Sequence, residues 1–139
     1  TTLFRSLFVP YEIALQLKEK GFDEPCFGMY FLDESFSCDG RKHILPCKNS
    51  NTVLGTIWFS APLYQQVIDW FREKHEFWIH LESYNDNKWS FIIEDISKKG
   101  YTKENGNERF MPRMIHNSNE LVPYNESLNK AIEQALKLI

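Results

Sequence analysis

Cys26, Cys38, His43 and Cys47 are the residues of this sequence whose types could hold a metal ion. Thiolates with an imidazole are a zinc donor set. Zinc sites are usually built from two close pairs such as C-x2-C, because two ligands on one turn converge on one ion. Here the gaps are eleven, four and three residues, which disfavours a site. The plainer reading is buried apolar thiols and one strand histidine. A cysteine nucleophile would need a histidine held beside it, and His43, His75, His80 and His116 lie in no motif that provides this. Glu82 with Glu94, or Glu94 with Asp95, could act as paired general acid and base, but carboxylates on hairpin strands are ordinarily solvated. The sequence holds no G-x-S-x-G elbow, H-E-x-x-H helix or phosphate loop. No catalytic residue is therefore assigned, no cofactor is expected, and an enzyme is the least favoured class.

Binding chemistry has two candidate surfaces. Trp78 and Tyr84 fall on the face of an expected strand opposite Phe77, Ile79 and Leu81. If that face is uncovered, the two rings form a contact surface. Lys98, Lys99, Lys103, Arg109 and Arg113 make a later stretch locally basic, with Tyr101 and Phe110 interleaved. This pattern resembles a weak nucleotide or nucleic-acid surface, although Glu104 and Glu108 dilute it and a solvated loop is the plainer explanation.

The elements that must position these residues follow from periodicity. Pro10 opens a first helix with Ile13, Ala14 and Leu17 on one face, and Gly21 stops it. Cys26 to Leu32 is apolar on both faces and suits a central strand. Asp39-Gly40 would turn Phe36–Cys38 onto Lys42–Leu45, and 52–59 is expected to be extended. A second helix takes Ser60 as N-cap, buries Leu63, Val67, Trp70 and Phe71, and ends near His75. Phe77 to Glu82 and Trp89 to Glu94 alternate as a hairpin around Asn85-Asp86-Asn87. Residues 97–122 lose all pattern and are expected to form a long loop. Leu128, Ala131, Ile132, Ala135, Leu136 and Ile139 then define a last helix capped by Asn125, whose apolar face serves the core or a dimer seam. The order α-β(β)-α-β-β-α argues for one α+β domain over residues 1–139. It is a small antiparallel, or mixed, sheet covered by about three helices.

Bulk composition narrows the function classes. A chain of 139 residues, 42% hydrophobic and 25% charged, is globular and needs no disulfide or metal to fold. Its formal charge of −3 disfavours nucleic acid as partner. No apolar run is long enough to span a membrane. Three cysteines cannot all pair within the chain. Without an export signal they are expected to be reduced thiols in a cytoplasm. Aromatics reach 15%, enough for a ring-built core and for an exposed ring surface besides.

Three stretches taken together resemble a known family. They are Leu7 to Glu12 running on to Lys18-Glu19-Lys20-Gly21-Phe22-Asp23-Glu24-Pro25-Cys26, then Ala61 to Gln66 with Trp70 to Lys74, and last Ala131 to Leu136. They are similar to a family of small proteins of phages and prophages of gut Bacteroidetes, for which no activity is assigned. The match covers roughly half the chain, and Asp33 to Thr56 is longer here than the family's usual connection. The resemblance implies an accessory phage protein made in the cytoplasm of a bacterial host, and it transfers no site residue. The expected partner is a host or phage protein, bound by a monomer or homodimer. The alternative is a small-ligand or nucleotide-sequestering counter-defence protein.

Overall fold

Leu17, Lys18, Gly21 and Phe22 show how the first half of the chain is shaped. The computed structural model describes residues 2–38, 58–97, 101–104, 107–110 and 112–139, with side chains over 4–38, 58–97 and 112–139. Helix α1 (Thr2–Arg5) leads to α2 (Tyr11–Glu19), which buries Ile13, Ala14 and Leu17 as the spacing requires. Gly21 takes φ +88° after α2. Its N–H then donates to the Lys18 carbonyl at 3.1 Å, and the Phe22 N–H donates to the Leu17 carbonyl at 2.9 Å. These two bonds close the left-handed helix stop that glycine permits. Leu17 and Phe22 are both buried, giving that stop its apolar contact.

The chain forms two compact units, Thr1–Val67 and Ile68–Ile139. In the first, β1 (Gly28–Phe31) lies between β2 (Phe36–Ser37) and β3 (Trp58–Ala61), antiparallel to both. The central position expected for the doubly apolar stretch at 26–32 is thus observed. The β1–β2 turn is built by Asp33, whose carboxylate accepts the Ser35 N–H at 3.0 Å, while Glu34 takes φ 68°. Hydrogen bonds from the Ser35 side chain and backbone hold the Asp33 carboxyl below its usual range. The 39–40 turn, its partner strand at 42–45 and the extended stretch at 52–57 lie outside the described residues.

Helix α3 (Tyr64–His75) begins three residues later than a cap at Ser60 predicts. Ser60 is buried within β3, where apolar neighbours on both sides carry the strand onward. The helix start is satisfied by Gln66 instead, whose side chain accepts the Leu63 N–H at 3.0 Å. That is the returning half of a capping box.

The second unit holds a sheet of order β4-β5-β8, made of β4 (Phe77–Tyr84), β5 (Lys88–Asp95) and β8 (Arg113–Asn117), all antiparallel. Asp86 (φ 66°) and Asn87 (φ 58°) make the β4–β5 turn, residue types that tolerate the left-handed region. Helix α4 (Tyr124–Lys137) packs on β5 and β4, burying Leu128, Ala131, Ile132, Ala135 and Leu136. Its N-cap position is Pro123, and Asn125 lies exposed in the first turn.

Residues 97–122, expected as loop, hold three strands among the described residues. A ribbon of β6 (Tyr101–Glu104) and β7 (Asn107–Phe110) precedes β8. These strands are four or five residues long and mostly polar, so they carry no alternation that would mark them in the sequence. The class is α+β, with two small three-stranded antiparallel sheets and helices. Among the described residues no helix is long and apolar enough to cross a membrane.

Candidate protein-binding face

Strand register decides what β4 presents. Trp78 pairs with Glu94, His80 with Ile92, Glu82 with Ser90 and Tyr84 with Lys88. Even-numbered residues of both strands therefore share one face. Glu94 pairs in turn with Met114 of β8, which joins that face. The odd-numbered face carries Phe77, Ile79, Phe91 and Ile93 and is the one against α4, where Trp89 meets Tyr124 edge-on at 5.0 Å. On the even face Trp78 is 40% exposed, Tyr84 53% and Met114 55%. Ser90 and Ile92 of the central strand are buried. Large rings thus remain open to solvent along the outer strand. Trp78 and Tyr84 stand where alternation predicts them.

His80 lies between the two rings, its Nε2 3.8 Å from Glu94 Oε2. That nitrogen is buried and has no hydrogen-bond partner among the described residues. Glu82 and Glu94 face the same way, but their registers are four residues apart, roughly 13 Å along the strands. Glu94 and Asp95 are consecutive and point to opposite faces. Neither pair can share a proton in an acid–base step, so the geometry leaves these carboxylates without the dyad their types allowed.

The basic stretch is only partly gathered. Tyr101 pairs in register with Phe110, and Arg109 with Thr102, across the β6–β7 ribbon. Arg113 is largely exposed and reaches Asp95 at 3.6 Å. Lys98 and Lys99 lie outside the described residues. The metal candidates are not gathered either. Cys26 is buried with its thiol on the Glu24 carbonyl at 3.3 Å. Cys38 is half-buried next to β2, and His43 and Cys47 lie outside the described residues. Among the described residues no three metal-ligating side chains converge.

Concave features also compete with the ring face as binding sites, among them an open apolar cleft of about 460 Å³ lined by Phe31, Leu32, Asp33 and Ser35. Beside α4 a cleft of about 210 Å³ is walled by His116, Lys130 and Glu133. Lys130 bridges Glu120 at 2.9 Å and Glu126 at 3.3 Å, so its charge is already met. In the first unit an apolar cleft of about 470 Å³ is lined by Phe4, Arg5, Phe36 and Cys38. Arg5 lies 5.8 Å over the Phe36 ring there.

His75 serves structure. It packs at 4.6 Å from Trp70, 5.8 Å from Phe71 and 6.4 Å from Phe77, and burial lowers its pKa below the ordinary histidine value. The unfolded chain then binds a proton at higher pH than the folded one. Stability contributed here is full above about pH 6.5 and is lost as pH falls toward the folded value. Urea midpoints compared at about pH 7.5 and about pH 5.5 should show this loss, and His75→Gln should reduce the difference.

The chain matches no family model, no curated protein and no solved structure.

Proposed function

We infer that this chain is a non-enzymatic protein-binding module whose contact surface is the even-numbered face of the β4-β5-β8 sheet. The observation that carries it is the exposure of Trp78, Tyr84 and Met114 on one face of a sheet whose opposite face is packed by α4. Trp, Tyr and Met are enriched where proteins meet, because each offers large apolar area at low entropic cost. Resemblance in three stretches to proteins of Bacteroidetes phages supports an accessory role, acting on a host or phage protein in the bacterial cytoplasm.

The test is affinity capture from host extract with the wild-type chain and with Trp78→Ser/Tyr84→Ser. A specific partner should be retained by the first and lost by the second, with unchanged circular dichroism. Losing two anchoring rings should cost about 2 kcal/mol or more, roughly thirtyfold in affinity. A partner held equally by both proteins would sink this assignment of the face.

Small-ligand sequestration has one observation in its favour, the cleft of Phe4, Arg5, Phe36 and Cys38. Arg5 is engaged there with Phe36 and with the Tyr30 hydroxyl. An anion would have to draw it from both, and the ring face is therefore preferred.

A further inference from the structure

We propose that the outer edge of β4 pairs antiparallel with the β4 of a second copy of this chain, centred on Leu81, to make one continuous six-stranded sheet. The backbone register shows which groups are available. The Ile96 N–H donates to the Glu76 carbonyl at 2.9 Å, so the 76–96 pair is of the hydrogen-bonded kind. Such pairs alternate along an antiparallel ladder, and the even-numbered residues of β4 therefore bond to β5. On the far side of β5, Trp89 and Val122 exchange both bonds at 2.8 and 3.0 Å, as the same alternation requires. The N–H and C=O groups of Phe77, Ile79, Leu81 and Ser83 thus point away from β5, and they have no partner among the described residues.

Edges of this kind are normally blunted by shortness, proline, bulges or charge. β2 has two residues, and the β5–β8 ladder carries a register shift between Ile93 and Glu94. β4 has eight residues, no proline and an unbroken register with β5.

A two-fold axis through Leu81 makes the strand complementary to itself. Leu81 faces Leu81 of the second copy, and Ile79 faces its Ser83, each pair exchanging two backbone hydrogen bonds. The intervening pairs are of the non-hydrogen-bonded kind, whose Cα atoms are only about 4.5 Å apart. There Trp78 meets Tyr84 of the other copy and His80 meets its Glu82, each combination occurring twice. Neighbouring registers lose this match. Centring on Glu82 opposes two like carboxylates, and centring on His80 sets Trp78 against Glu82. Pairing consumes the strand edge and leaves the ring face open and doubled, so it is independent of whether that face binds another protein.

Sedimentation velocity over a concentration series, with the full chain, tests the proposal. A reversible dimer is expected. Ser83→Pro should raise its dissociation constant at least about tenfold, because two outward donors are lost per dimer. The β4–β5 bonds do not use the Ser83 N–H, so circular dichroism should be unchanged. The register has its own test. His80→Cys and Glu82→Cys chains, mixed under mild oxidation, should form an 80–82 disulfide between copies, seen by peptide mass spectrometry, and neither alone should link to itself at these positions. A chain that is monomeric throughout, a dimer indifferent to Ser83→Pro, or an 80–80 link would each overturn the proposal. Partner capture by the wild-type chain is a separate readout, so the two ideas fail separately.

Discussion

Tyr30→Ala should cost about 3–5 kcal/mol and should shift the urea unfolding of the first unit accordingly. The ring is buried at the centre of β1. It meets Tyr11 at 5.6 Å, Phe36 at 5.5 Å and Phe59 at 6.0 Å. Its hydroxyl donates to the Val9 carbonyl at 2.7 Å within the same core. Tyr30→Phe separates the two contributions. It keeps the ring and leaves a buried carbonyl without this donor, for about 1–3 kcal/mol. Burial raises the Tyr30 pKa, with the Arg5 guanidinium opposing it. The stability tied to the neutral phenol is full below about pH 10 and is lost as pH rises through the folded value. Tyr30→Phe should therefore lack this alkaline slope.

Gly28→Ala should cost about 1–3 kcal/mol although it adds one methyl group. A Cβ at Gly28 would lie 2.8 Å from Phe36 Cε2, 3.0 Å from Phe8 Cε1 and 3.1 Å from the Ala61 carbonyl oxygen. Phe36 is half-buried and could swing aside, but Phe8 is buried and Ala61 is fixed opposite Gly28 in the β1–β3 ladder. Relief must then come from the sheet itself. Phe36 also packs on Tyr30, so Gly28→Ala and Tyr30→Ala should be non-additive in a double-mutant cycle. Thermal or urea unfolding of the four proteins measures both effects.

Much of the second unit is legible in its residues because the chain there repeats. Leu128 to Leu136 recurs at helical spacing, and all five of its stripe residues are buried on the sheet. Phe77 to Ile93 alternates, and alternation alone puts Trp78 and Tyr84 on one face. Gly21 is legible because only glycine takes the required φ without strain. Where pattern is short or absent, the residues are silent. Nothing in Arg113 to Asn117 distinguishes a strand from a loop, since its pairing is set by the backbone of β5. Ser60 has the right type for a helix cap, yet burial between Phe59 and Ala61 keeps it in a strand, and Gln66 does the capping.

The amino-acid sequence by itself determined the three main helices, the β4–β5 hairpin and the side of that hairpin on which the two rings fall, because each depends on spacing within one segment. Only the tertiary structure decided that the rings stay open, that Glu82 and Glu94 stand too far apart to cooperate, that Gly28 has no room for a methyl group, and that β4 is the outer strand of its sheet among the described residues. Each of these depends on which distant segment comes to lie alongside, and local spacing carries no record of that.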